Sequence, residues 1–523
     1  MDFLIHHMLR TSAWRSPDKE ALVHGGERLS YREVERRVAG LGQGLRAAGA
    51  ARGDRIGIYL DAGVSQTLAI FGVSQAGGVY VPVNALLFPD QVAHIARDCQ
   101  MKGLITTPEK LATLSAALKE VPSLEFLVLV GEGGPVDTPL AVHDFETLCA
   151  LTPPAPWREA TIEKDLAAIL YTSGSTGKPK GVMLSHAQVM AGSSIVSTYL
   201  EISEADRILA VLPFSFDAGM NQLMTAFQQG GTLVLINFVF AREVVDVLVR
   251  ERVTGLAGVP TFWSLLSQST SGLQKQALPH LRYITNTGGA MPQPVLGVLR
   301  KTLPTTRIFL MYGLTEAFRS TYLPPEELDR RPTSMGKAIP NTEILVLDEH
   351  GKPCRAGEVG ELVHRGPTVS MGYCGQPELT ARVLRPNPLV PPELGDQERV
   401  CYSGDYVKMD EEGFLYFVGR RDTMIKSSGF RISPTEVEEV LFRAGHLKGV
   451  AVIGIPDAIL GQSIKAFVVA RDGETAEAAA LLQFCAANMP RHMIPKAIEV
   501  LDELPKTSSG KVDYPALRRR EGL

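Results

Sequence analysis

Amphipathic helical periods alternate with short runs of Val, Ile and Leu over most of this chain. Residues 32–47 place apolar side chains at helical spacing, and Arg55-Ile-Gly-Ile-Tyr-Leu60 follows as a strand. Residues 66–76 predict a second helix, and Gly78-Val-Tyr-Val-Pro-Val83 an extended segment. This alternation predicts layered α/β structure with mainly parallel sheets. From about residue 334 to 418 the pattern changes to short strands separated by turns such as Glu349-His-Gly351 and Glu411-Glu-Gly413. That change predicts a small β-rich subdomain. The polar junction Gly419-Arg-Arg-Asp422 then leads into a compact α+β unit. Its first helix is well marked, with Ser433 as N-cap, Pro434 at the first helical position and Glu436 three residues after the cap. Val437, Val440 and Leu441 give its buried stripe, and residues 476–488 predict an alanine-rich helix. The expected organisation is a large N-terminal domain, 1–421, and a small C-terminal domain, 422–523.

Length and composition agree with a soluble multidomain protein. The chain has 523 residues, 45% hydrophobic and 21% charged, with a net charge of −4. No basic stripe predicts nucleic-acid binding; Arg518-Arg-Arg520 reads as a solvated tail. The six cysteines show no Cys-x-x-Cys pair or metal spacing and predict reduced thiols. The N-terminal apolar stretch is too short for a signal peptide, and no window has the roughly 18 uninterrupted apolar residues of a membrane span. A cytoplasmic protein without stable membrane insertion is the expectation.

The densest chemistry lies in Tyr171-Thr-Ser-Gly-Ser-Thr-Gly-Lys-Pro-Lys-Gly181, with three glycines, two lysines and four hydroxyl residues. Glycines let backbone N–H groups turn inward, hydroxyls add donors and lysines add charge, a combination suited to polyphosphate. The P-loop pattern does not fit, because Gly174 and Gly177 are three apart and Lys178 is followed by Pro179. Apolar runs at 166–170 and 182–184 place the segment between strands rather than in a linker.

With those flanks the segment resembles the phosphate-binding signature of the AMP-forming adenylating enzymes. These include acyl-CoA synthetases, amino-acid adenylation domains and luciferases. Four more segments match in the family's order: Thr287-Gly-Gly-Ala290, Met311-Tyr-Gly-Leu-Thr-Glu316, Tyr402-Ser-Gly-Asp405 ahead of Gly419-Arg420, and Pro505-Lys-Thr-Ser-Ser-Gly-Lys511. The resemblance implies ATP as substrate, Mg²⁺ as cofactor, and coenzyme A or a carrier protein's phosphopantetheine as thiol acceptor.

Roles follow from the same resemblance. Thr172, Ser173, Gly174, Ser175, Thr176, Gly177, Lys178 and Lys180 would cradle the phosphates that leave as pyrophosphate. Gly288, Gly289, Ala290, Met311, Tyr312 and Gly313 would hold AMP, with Tyr312 offering a flat face to adenine. Thr315 would donate to phosphate and Glu316 would ligate Mg²⁺. Asp405 and Arg420 would close on the ribose; their plainer reading is a surface ion pair. Lys511 would place an ammonium on the oxygens that gain charge as acid attacks the α-phosphate. Asp422 would be the hinge of a mobile C-terminal domain, and Lys426 and Gly429 would face the thiol afterwards.

The acid is read from Leu212-Pro-Phe-Ser-Phe-Asp-Ala-Gly219. Ser215-Phe-Asp-Ala218 resembles the segment of amino-acid adenylation domains, whose aspartate pairs with a substrate α-ammonium. Asp217 capping a helix from Ala218 is the structural alternative. The resemblance adds Ala218, Asn221, Ala257, Thr285, Thr287, Arg319 and Ser320, with Met311, as pocket residues, a small polar set unsuited to a long alkyl chain. Arg319 would meet an acidic or hydrogen-bonding side chain, or form an internal ion pair. Gly313-Leu-Thr-Glu316 departs from the usual Gly-Pro-Thr-Glu of peptide synthetases, and the chain resembles a free-standing ligase. Some stand-alone ligases encoded with bacterial exopolysaccharide and exosortase systems share this Ser-Phe-Asp-Ala-Gly segment. The leading expectation is amino-acid activation followed by transfer to CoA or a separate carrier protein. The alternatives are a conventional medium- or long-chain acyl-CoA synthetase and a non-catalytic nucleotide-binding homologue.

Overall fold

The structure, a computed structural model, describes residues 2–133, 138–153, 158–159, 161–172, 179–395, 398–421, 423–427, 430–457, 460–507 and 512–523. The α/β class is as expected. The chain packs as two compact units, one of residues 1–344 with 364–401 and the other of 345–363 with 402–523. The expected division at 421/422 falls inside the second unit, and the β-rich segment is shared between both.

Among its described residues the first unit has two large sheets. The nine-stranded sheet runs Lys337–Ala338, Ala317–Leu323, Arg307–Leu314, Tyr283–Asn286, Gly255–Gly258, Arg207–Ala210, Thr232–Leu235, Glu20–His24, Glu27–Ser30. The central pairs from Arg307–Leu314 to Glu20–His24 are parallel. The eight-stranded sheet runs Gly372–Tyr373, Lys180–Ser185, Leu166–Thr172, Val79–Pro82, Arg55–Tyr59, Gly103–Thr106, Phe126–Leu129, Ala141–Asp144.

Helices join the sheets through one core. Tyr31–Ala47 begins where Ser30 accepts the Glu33 N–H and the Glu33 carboxylate accepts the Ser30 N–H, a reciprocal cap. Its stripe Val34, Val38, Leu41 and Leu45 is fully buried with Phe71 of Val64–Ala76 and Phe227 of Asp217–Gln229. All six cysteines are free thiols, and no helix of the described residues is long and apolar enough to cross a membrane.

The second unit carries its own five-stranded sheet with Ile425–Ser427, Phe430–Ile432, Leu447–Asp457, Gly461–Ala470 and Ala497–Val500. The helix Pro434–Phe442 begins as the sequence predicts: Ser433 accepts the Glu436 N–H, and Val437, Val440 and Leu441 are buried. The alanine-rich helix spans Ala478–Asn488.

One buried carboxyl in this unit gives a test of its packing. Glu438 accepts hydrogen bonds from the Val452 N–H and the Tyr514 hydroxyl, both at 2.8 Å. Burial pushes its carboxyl up from 4.5 to about 7, a displacement corresponding to about 3 kcal/mol. The folded protein therefore holds a proton that the unfolded chain releases, so stability falls as pH rises from 4.5 through 7. Glu438→Gln is expected to raise the thermal midpoint at pH 8 by several degrees and to leave it nearly unchanged at pH 4.5. Thermal denaturation at the two pH values checks this, and equal shifts at both would contradict it.

Candidate active site

The carboxyl ends of the parallel strands in the nine-stranded sheet gather most of the expected residues. Ala257 stands beside Thr285, and Thr285 beside Phe309, in register. Side chains alternate along a strand, so Ala257, Thr285, Phe309 and Met311 share one face of the sheet. Tyr199 on the helix His186–Leu200 covers it, stacking on Tyr322 at 4.3 Å and donating its hydroxyl to Met311 Sδ at 2.9 Å. Met311 is thus a buried wall residue. Beyond the strand ends Thr287 is still buried, whereas Gly288, Gly289 and Ala290 are exposed. The Gly289 carbonyl accepts from Asn286 Nδ2 at 2.8 Å, which folds this turn back on its strand.

Thr315 and Glu316 form the tight turn between Arg307–Leu314 and Ala317–Leu323, an antiparallel pair. Tyr312 and Gly313, just before it, are half-buried. Glu316 is held from outside the hairpin. Its carbonyl accepts the Ser370 N–H at 2.8 Å, and its carboxylate accepts the Tyr373 hydroxyl. Tyr373 pairs with Val182 on Lys180–Ser185, the strand that leaves the glycine-rich loop. Residues 369–373 therefore touch both sheets, since Val369 bridges Ala317 while Gly372 pairs with Met183. Sequence reading missed Tyr373. It lies 57 residues beyond Glu316, and its neighbours carry no motif of their own.

The base of the glycine-rich loop is an antiparallel hairpin with Tyr171 opposite Gly181 and Thr172 opposite Lys180. Tyr171 donates to Asp98 at 2.6 Å, and burial pushes its phenol well above the usual range. Ser173, Gly174, Ser175, Thr176, Gly177 and Lys178 lie outside the described residues.

Asp217 is the first residue of the helix Asp217–Gln229, one position earlier than expected. Its Oδ1 accepts the N–H of the adjacent Ala218 at 2.8 Å, but Phe216 holds the N-cap position and no side-chain cap bond forms, so the capping alternative is not met; Oδ2 makes no hydrogen bond to another described residue. The segment enters this helix from Arg207–Ala210, the strand beside Gly255–Gly258. A Cβ on Gly219 would stand 2.2 Å from the Pro213 carbonyl oxygen, so glycine is required where the segment turns over the helix. Ala218 and Asn221 are buried, and Asn221 borders a small cavity with Gln188 and Phe318. Ser320 is buried beside His364, whose Nδ1 lies 3.0 Å from the serine hydroxyl; burial lowers this imidazole to about 4 and keeps it neutral. Arg319 is buried, with Nη1 donating to Thr287 Oγ1 at 2.7 Å.

In the second unit Asp405 and Arg420 are cross-strand partners between Arg399–Met409 and Leu415–Arg420, with Arg420 Nε 2.9 Å from Asp405 Oδ1. The ion pair weighed in the sequence is formed, with Asp405 buried and Arg420 exposed. Lys426 lies on the strand Ile425–Ser427. Asp422, Gly429 and Lys511 lie outside the described residues.

Comparison with known proteins identifies the family. The family model "AMP-binding enzyme" matches residues 9–374, and "AMP-binding enzyme C-terminal domain" matches 436–511. A feruloyl-CoA synthase of Amycolatopsis sp is 32% identical over 518 residues, 97% of either chain. The delta-poly-L-ornithine synthetase of Acinetobacter baumannii is 30% identical over 510 residues, 96% of this chain and 36% of its own length. The crystal structure of the anthranilate CoA ligase AuaEII with anthranoyl-AMP superposes with a TM-score of 0.88 at 26% identity, covering 99% of this chain and 97% of that one. The chain belongs to the AMP-binding enzyme family, as an ATP-dependent, AMP-forming ligase that joins a carboxylic acid to a thiol.

Proposed function

We propose that the acid is an amino acid, recognised through Asp217. The observation that carries this reading is the placement of one carboxylate at the head of the helix Asp217–Gln229, after the strand neighbouring Gly255–Gly258. One of its oxygens is fixed by the Ala218 N–H, which leaves the other for a substrate ammonium. An ion pair formed out of water is strong only when further hydrogen bonds hold it, and the helix N–H supplies one. The small and polar set Ala257, Thr285, Thr287 and Ser320 suits a short acid better than an alkyl chain.

The adenine would lie on Tyr312 against Gly288 and Gly289, with Ala290 at the rim and Gly313 below. Asp405 and Arg420 would take the ribose hydroxyls. Thr172, Lys180 and residues 173–178 would hold the β- and γ-phosphates. The substrate carboxylate oxygen attacks the α-phosphorus, a P–O bond forms, the bond to the β-phosphate breaks, and pyrophosphate leaves. Lys511 would neutralise the charge that builds in that step. In the second step a thiol sulfur attacks the acyl carbon, the C–O bond to AMP breaks, and AMP leaves. Asp422 would be the hinge between the steps, with Lys426 and Gly429 beside the incoming thiol of CoA or a carrier protein.

Glu316 and Thr315 fit a magnesium ion. Both are oxygen donors, the carboxylate is half-exposed at a turn, and one of its oxygens has no partner among the described residues. Bound there, magnesium would offset phosphate charge. Tyr373 orients Glu316 for that task.

Three outcomes test these assignments. ATP–pyrophosphate exchange should depend on an added amino acid, and Asp217→Asn should lower kcat/KM for it by about 100-fold, given a desolvated charge pair. Exchange with fatty acids alone would overturn the reading. Tyr373→Phe should lower exchange about 10-fold and raise the magnesium concentration for half-maximal rate, because a charge-assisted hydrogen bond is lost. An unchanged magnesium dependence would remove Tyr373 from the site. Lys511→Ala should nearly abolish exchange and spare thiolysis of supplied acyl-AMP; equal loss of both steps would contradict the division of labour.

A further inference from the structure

Arg319 has a backbone that a strand residue rarely adopts. Its φ is +56°, inside the strand Ala317–Leu323. For a non-glycine residue this left-handed conformation is costly, and it persists where surrounding structure imposes it. The cause lies in the pairing of this strand with its neighbour. Tyr312 pairs with Thr321 and Leu314 with Ala317, so Gly313 alone stands opposite Phe318, Arg319 and Ser320, and the extra residues bulge within Arg319's own strand. A Cβ at Gly313 would stand 2.8 Å from Arg319 Cα, so the kinked backbone of Arg319 fills the space that glycine leaves. By simple alternation Arg319 would share the face of Thr321 and its partner Tyr312, opposite the face of Thr285 and Met311. The kink re-aims it.

The re-aimed guanidinium is buried and poorly matched. Arg319 is 3% exposed. Its Nη1 donates to Thr287, its carbon lies 5.3 Å from the centre of the Phe318 ring, and its Nε is buried without a partner. No carboxylate among the described residues pairs with it. Glu316 is engaged by Tyr373, and Asp217 by the Ala218 N–H. His364, the nearest titratable ring beyond Ser320, is neutral. Tyr199 has its phenol pushed far up by burial and is neutral too. A buried cation without a counter-charge costs several kcal/mol, and a positive charge kept there by a strained backbone calls for an anion that arrives with a ligand.

The surroundings indicate which anion. Arg319 is linked to Thr287 and packed beside Phe318, which borders the small cavity that Asn221 also lines. Two further buried hydroxyls, Ser215 and Thr285, have no hydrogen-bond partner among the described residues. These groups belong to the acid side of the site, whereas Thr315, Glu316 and the hairpin base at Thr172 and Lys180 form the phosphate side. We infer that Arg319 selects a small acid bearing a second anionic group, its fork paired with a distal carboxylate while the first carboxylate is activated. This rests on the ligase reading of the site and narrows its substrate to a diacid, with an α-ammonium at Asp217 where the acid is an amino acid. A planar fork matches a carboxylate through two parallel hydrogen bonds, and Thr287 holds it in that plane.

The test is exchange with matched pairs on the full chain: glutamate against glutamine, aspartate against asparagine, and succinate against butyrate. Diacids should exceed their neutral partners by at least about 100-fold in kcat/KM, the size expected when a buried charge is left unpaired. Arg319→Met should collapse that ratio to within a few-fold, mainly through KM for the diacid. Arg319→Lys, which retains charge without the fork, should keep the diacid preference with a raised KM, and it serves where the methionine variant fails to fold. A wild-type preference for neutral acids would overturn the inference and leave the ligase reading standing. Equal loss for both members of a pair in Arg319→Met would also overturn it, by assigning the arginine to the nucleotide. Absence of exchange with every acid would overturn the ligase reading together with the inference.

Discussion

The site depends on a short stretch of chain shared by two sheets. Residues 369–373 bridge Ala317 and bond Glu316 at one end, and pair with Val182 and Met183 at the other. The strand Lys180–Ser185 leaves the glycine-rich loop, and Glu316 sits on the hairpin turn of the nine-stranded sheet. The two groups expected to meet phosphate and its metal thus come from different sheets. Backbone hydrogen bonds fix their distance, and the Tyr373 hydroxyl fixes the direction of the carboxylate. A side-chain contact alone would leave the segment free to shift; an isolated bridge at Val369 and a short ladder at Gly372 and Tyr373 hold it at both ends. Chemistry that relies on placed charge needs this rigidity.

A second constraint shapes the acid side. Parallel strands in register put Ala257, Thr285 and Met311 on one face, and the helices His186–Leu200 and Asp217–Gln229 close over it. Against this regular frame stand two local features, the close approach of Pro213 to Gly219 and the bulge opposite Gly313. The first packs the preceding segment on the helix headed by Asp217, and the second kinks the backbone at Arg319. The proposed acid site draws one charge of each sign from these two residues.

Much of this was legible in the sequence. Alternating periods gave the layered sheets, and Ser433 with Pro434 placed a helix start correctly to the residue. Five motifs in order pointed to the family that the comparisons show. Local signals sufficed there because strand, turn and cap preferences act within a few residues. Tyr373 was hidden because its role arises only when two sheets meet. The conformation of Arg319 was hidden because its positive φ arises from a bulge in its own strand, set by pairing with the neighbouring strand, where Gly313 leaves room for it. The capping alternative for Asp217 fails because the helix starts one residue early: Phe216 takes the N-cap position and Asp217 bonds only the adjacent Ala218 N–H. The division of the β-rich segment between two units follows from long-range pairing that periodicity does not encode.

The most direct measurement is a crystal structure of the protein with a non-hydrolysable sulfamoyl analogue of glutamyl-AMP. The account predicts adenine on Tyr312 beside Gly288, the ammonium against Asp217, and the distal carboxylate within about 3 Å of the Arg319 guanidinium. An analogue lying elsewhere, or an Arg319 turned to the sulfamate with the distal carboxylate in solvent, would contradict it.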